Sequence, residues 1–92
     1  MPSLFSIGGY RIFFWSGEEH EPVHVHVAKG RPTPDATKLR LTSAGGCVLA
    51  HNHGRIPTKD LRVIERIVAA QHGFICREWK TYFDTEEISF LV

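Results

Sequence analysis

At 92 residues, with 42% hydrophobic and 11% aromatic side chains, the chain carries enough apolar material for one core and too little for two. A formal net charge of +1 excludes the strongly cationic profile of a dedicated nucleic-acid binder, and no run of about 18 apolar residues provides a membrane span. Cys47 and Cys76 form no C-x-x-C unit and are too few for a disulfide framework, so reduced thiols acting as small buried hydrophobes are expected.

In chain order, the start Met1-Pro2-Ser3-Leu4-Phe5-Ser6 lacks the basic and apolar regions of a secretion signal, and a soluble cytoplasmic protein is the expectation. Tyr10 to Ser16 follows Gly8-Gly9 and is rich in aromatic and β-branched residues, which predicts a strand entered from a turn. Val23 to Lys29 alternates as a second strand, and the connector Gly17 to Pro22 suits a hairpin loop. Ala36 to Thr42 and Cys47 to Ala50 predict two further strands, separated by Ser43-Ala44-Gly45-Gly46. Pro57-Thr58 marks a helix entry with Thr58 as N-cap. Leu61, Ile64, Ile67 and Val68 recur at helical spacing, with Gly73 as the stop and His72 at the helix C-terminus. A second helix begins near Phe74, with Ile75, Trp79, Tyr82 and Phe83 on its apolar side. The tail Glu86 to Val92 alternates and is a candidate edge strand. The expected fold is α+β: a small antiparallel sheet of three or four strands, including the N-terminal hairpin, packed on two C-terminal helices. One domain over 1–92 is expected, with its core at about 7–84 and its tail at 85–92.

Strand parity sorts the hairpin into two sides. Side chains alternate between faces, so Val23, Val25 and Val27 share one side with Ile12 and Phe14, whereas His24 and His26 share the other with Arg11, Phe13 and Trp15. The register assumed sets Phe13 against His26 and Trp15 against His24. The aliphatic side belongs under the helices. The other side becomes a binding face of Arg11, Phe13, Trp15, His24, His26, Lys38 and Arg40, unless the tail or a second copy in a homodimer covers it. Residues 22–66 contribute to its charge, with eight bases against three acids, a net +5.

Two functional classes follow. In the first, the chain is an interaction module whose sheet face takes a partner protein or nucleic acid, with cations on phosphates or carboxylates and aromatic rings stacking. In the second, His24 and His26, roughly 6–7 Å apart by strand rise, bind a divalent metal such as zinc, with His51 and His53 as further ligands. Without metal, the same pair suits acid–base chemistry on RNA, since histidine titrates near neutral pH. Neither nucleophile, oxyanion hole nor phosphate loop is visible, so an enzyme is the weaker expectation and no cofactor the default. As structural alternatives, His24 and His26 can bond loop carbonyls or Glu18, Glu19 and Glu21.

The run Arg11-Ile12-Phe13-Phe14-Trp15-Ser16-Gly17-Glu18, then Glu21-Pro22-Val23-His24-Val25-His26-Val27, Ala36-Thr37-Lys38-Leu39 and Val48-Leu49-Ala50 resembles a small prokaryotic family, domain of unknown function 4160. Asn52, Gly54, Lys59-Asp60-Leu61, Ile64, Ile67, Trp79, Tyr82 and Phe83 extend the resemblance over roughly residues 7 to 84. This chain has Pro22-Val23 where the family commonly has two prolines. The resemblance implies a partner protein, such as a member of domain of unknown function 2442 encoded nearby, in an arrangement similar to toxin–antitoxin pairs. It implies no reaction for His24 or His26.

Overall fold

In the structure, a computed structural model that describes residues 3–92, five strands form one antiparallel sheet in chain order. They are β1 (Ser3–Ile7), β2 (Tyr10–Phe13), β3 (His24–Lys29), β4 (Thr37–Leu41) and β5 (Cys47–His51), followed by helices α1 (Thr58–Ala70) and α2 (His72–Tyr82). The α+β class is as expected, with five strands rather than three or four. The additional strand is β1, whose five residues SLFSI are too short and too sparsely alternating to stand out in sequence. No helix among the described residues is long and apolar enough to cross a membrane.

The register of the central hairpin pairs Arg11 with Ala28, Ile12 with Val27 and Phe13 with His26, as strand parity anticipates. Regular pairing ends at Phe13, and residues 14–23 form the loop, so Trp15 lies outside the strand and not in register with His24. On the helix side, Tyr10, Ile12, Phe14, Val23, Val25, Val27, Leu39 and Leu41 merge with Leu61, Ile64, Val68, Ile75 and Trp79 into the main core. Leu61, Ile64 and Val68 recur at intervals of three and four on α1, and Ile75 and Trp79 are four apart on α2, which places each set on one helix face. The ring of Trp79 lies edge-on to Phe14 at 5.1 Å and against Phe83 at 4.6 Å.

The helix boundaries differ from expectation. Pro57 occupies the N-cap of α1 and Thr58 is its first helical residue, with no side-chain cap; proline suits the position because a helix start has no intrahelical use for its missing N–H. A single residue, Gln71, separates the helices, and its N–H donates to the Ile67 and Val68 carbonyls. Gly73 is therefore inside α2 and stops nothing. His72 begins α2, where its Nε2 bonds the Thr42 carbonyl at 2.7 Å and pins the helix to the end of β4. The tail forms no strand. It runs across the sheet end, with the Ser89 carbonyl accepting from Val23 N–H and the Val92 carbonyl from Ser43 N–H, while Ile88 and Phe90 pack on the main core.

The turn after β5 is built by a few polar groups. Thr37 Oγ1 donates to Asn52 Oδ1 at 2.6 Å and accepts from Gly54 N–H at 3.1 Å; Asn52 also bonds both N–H and C=O of Ile56. Glycine is required at 54 because a Cβ there would lie 2.8 Å from Thr37 Oγ1 and 3.2 Å from its backbone nitrogen. Gly54→Ala is expected to destabilise the protein by about 1–3 kcal/mol through this clash, read as a lower midpoint in urea unfolding with an unchanged m-value.

Candidate functional site

β3 is the middle strand of five, and His24 to Ala28 are all buried. Its valine side meets the helices. The histidine side is covered by the loop of its own hairpin and by neighbouring aromatics. Phe13, Ala28 and Ala36 form a small second cluster there, with Trp15 packed on it. His26 stacks on Phe13 at 5.7 Å and meets the edge of Trp15 at 6.3 Å. His24 lies 4.9 Å from His26 and 5.3 Å from Trp79, ring centre to ring centre.

The expected binding face is thereby divided. Phe13, His24 and His26 are 0%, 1% and 7% exposed, so none of them presents a ring to solvent. Arg11, Trp15, Lys38 and Arg40 stay partly exposed. Lys38 Nζ donates to Glu21 Oε1 at 3.1 Å. His51 and His53 stack on each other at 3.7 Å, and neither belongs to a metal-capable cluster among the described residues. On β4 and β5, Lys38 is the cross-strand partner of both His26 and His51, so a full strand separates the two histidines.

What the loop adds is Glu18. Its Oε1 lies 2.9 Å from His24 Nε2 and 3.0 Å from His26 Nε2, so two imidazoles converge on one carboxylate oxygen. The three ligand-type atoms lie within 4.8 Å of one another. Of the loop glutamates named as partners for the histidines, only Glu18 makes these bonds among the described residues. Sequence cannot select it from Glu19 and Glu21, because a loop has no parity to exploit. Pro22 completes the arrangement: its carbonyl accepts from His24 Nδ1–H at 2.8 Å.

That bond constrains the chemistry. A carbonyl only accepts, so His24 carries a proton on Nδ1, and its neutral form presents a lone pair at Nε2. An ionised Glu18 also presents lone pairs. Two acceptors 2.9 Å apart do not bond each other, so a proton shared between Glu18 and His24, or a metal ion, lies between them. Burial pushes the Glu18 carboxyl up, but hydrogen bonds and charge from His24 and His26 outweigh it and hold it below its ordinary value. Burial lowers His26, against the opposing pull of Glu18 and with help from the charges of His24 and Lys38. The site thus favours an ionised carboxylate and an unprotonated His26.

The cysteines stand apart from this site. Burial, with the charge of Glu65, pushes the Cys47 thiol up to about 11, and its Sγ donates to the Glu65 carbonyl. Burial also raises Cys76, against Lys80 and Arg77.

Compared with family models, residues 9–80 match the one described as "Domain of unknown function (DUF4160)", a stretch that includes Glu18, His24 and His26. No curated protein and no solved structure matches the chain.

Two outcomes follow. Glu18→Ala, measured in chelator, leaves two buried imidazoles short of a partner and is expected to lower unfolding free energy by about 1–3 kcal/mol. Iodoacetamide at pH 8 is expected to alkylate Cys47 about 100-fold more slowly in the folded protein than in urea, because two units of pKa remove that factor of thiolate.

Proposed function

Since the chain belongs to the DUF4160 family, whose description assigns no activity, we propose from its geometry that it is a metal-binding domain, holding a divalent transition metal on Glu18, His24 and His26. The observation that carries this reading is the His24 Nδ1–H bond to the Pro22 carbonyl. It directs a lone pair of neutral imidazole at the carboxylate, and an outer carbonyl of this kind is the usual orienting partner of a metal-bound histidine. Phe13, Trp15 and Trp79 pack around the imidazoles and limit their rotation, so the donors are preorganised.

Zinc suits the set best. Two imidazoles and a carboxylate are borderline donors that calcium and magnesium, with their preference for oxygen, do not favour. With zinc–ligand bonds of about 2.0–2.1 Å, tetrahedral donors stand about 3.3 Å apart, so the contacts of 2.9 and 3.0 Å need open by only a few tenths of an ångström. Three protein ligands leave a fourth position. The Glu18 side chain is 21% exposed and His26 9%, which gives that position a route to solvent for a water or a donor group from a second molecule. This choice takes the ligand pair over the open sheet face, because Phe13, one of the two rings that would stack on a partner, is fully buried.

Protein prepared without a histidine tag is expected to bind zinc at one equivalent by calorimetry and to give a cobalt(II) visible spectrum of low coordination number. Zinc at about 100 times its Kd should stabilise the fold by about 2.7 kcal/mol, a rise of at least 10 °C in Tm at about 4–8 °C per kcal/mol. His24→Ala, His26→Ala and Glu18→Ala should each abolish the shift, and His51→Ala should leave it intact. Equal binding by the His24→Ala variant would sink the reading.

A further inference from the structure

Strand β5 ends the sheet and pairs only with β4, through Leu41 with Cys47, Arg40 with Val48 and Leu39 with Leu49. Beyond that ladder, its backbone makes no hydrogen bond to other main chain among the described residues apart from those within its own sheet. Its residues, Cys47-Val48-Leu49-Ala50-His51, include neither proline nor a formally charged side chain, although such residues are the usual guards of a free edge. Val48 and Leu49 are 43% and 41% exposed, on opposite faces of the strand. The register break near Ala50 leaves Cys47 to Leu49 regular. The other edge, β1, differs: Leu4, Phe5 and Ile7 pack against the main core, and its register breaks between Ser3 and Phe5.

The flanks of β5 are basic. On the face away from the helices, Arg40 stands opposite Val48, and its buried Nε has no hydrogen-bond partner. On the helix side, Arg62 and Arg66 are exposed beside Gly46 and Cys47, with Glu65 the one acid in that depression. None of these three arginines has a carboxylate within salt-bridge distance among the described residues; the ion pairs there are those of Glu18 and Glu21.

We infer that the β5 edge is a docking site for an extended acidic segment of a partner protein, which adds a sixth strand antiparallel or parallel to β5 and sets carboxylates against Arg40, Arg62 and Arg66. The unpaired row of N–H and C=O groups calls for a polypeptide strand, since a nucleic acid offers no such row. A second copy of β5 would bring like charges together across the two-fold axis, because each copy presents the same arginines. An acidic strand satisfies both the backbone and the guanidinium groups, with alternate apolar side chains covering Val48 or Leu49. The inference is independent of metal at Glu18.

The test is a titration of the isotopically labelled full chain with a capped peptide of about eight residues, alternating valine or threonine with glutamate. Amide shifts are expected at Cys47–His51 and around Arg40, Arg62 and Arg66, with sub-millimolar affinity that weakens about tenfold from low to physiological salt. The matching lysine peptide should leave β5 unmoved. The double variant Arg40→Glu with Arg62→Glu should reverse this preference. Shifts elsewhere, none at millimolar peptide, tighter binding of an RNA oligonucleotide to the same amides, or concentration-dependent dimerisation through β5 would each overturn the inference; the salt dependence of the unaltered chain keeps it testable if the double variant fails to fold.

Discussion

The rest of the structure depends on a conflict within β3. A middle strand with helices on one side and a folded-back loop on the other is expected to be apolar throughout, yet two of its buried residues are histidines. Burying an imidazole without a partner costs more than a typical hydrogen bond contributes, so the hairpin loop is obliged to bring polar groups to them. Pro22 C=O and Glu18 Oε1 meet that obligation. The ten-residue loop is thereby tied to the sheet it leaves, and Trp15 is carried onto the His26 ring. The three side chains of the candidate site are also the ones that hold the loop down.

The choice of cation between Glu18 and His24 is a matter of geometry. A proton between His24 and Glu18 satisfies that one nitrogen–oxygen contact. A divalent ion draws on all three donors together. It would also use His24 in the tautomer that Pro22 already imposes. In the proposed metal-bound state, Glu18, His24 and His26 would each supply one donor.

Much of this was legible because period-two alternation survives burial. The split of Val25 and Val27 from His24 and His26 follows from parity, and the pairing of Phe13 with His26 matches the register assumed from the sequence. The spacing of Leu61, Ile64 and Val68 likewise reads directly as a helix face. Parity does not say what covers a face, however, and there the reading of an open surface departs from the structure: Phe13 is fully buried because loop residues return over it. Glu18 was visible as an acid in reach but not as the selected one, since selection among Glu18, Glu19 and Glu21 depends on backbone turns that the polar stretch Glu18-Glu19-His20-Glu21 does not encode. Helix ends misled for a related reason. Gly73 has the chemistry of a stop, but the Thr42 carbonyl holds His72 in place and α2 starts one residue earlier, so a tertiary contact overrides a local preference.

Charge gives the sheet a direction across its strands. In the acidic stretch Glu18 to Glu21, the Glu18 carboxylate is engaged by His24 and His26 of β3 and that of Glu21 by Lys38 of β4. Beyond β4 the balance reverses: Arg40, Arg62 and Arg66 surround β5 with no acidic partner of their own among the described residues except the nearby Glu65. Lys38 sits at the boundary, paired across the sheet with both His26 and His51 while its ammonium reaches back to Glu21. A near-neutral chain therefore holds two environments of opposite sign, separated by the one intervening strand β4, a distance of about 10 Å. Neutrality arises by cancellation between regions rather than within each, and this is why the net +1 conceals both an anionic donor site and an uncompensated basic edge.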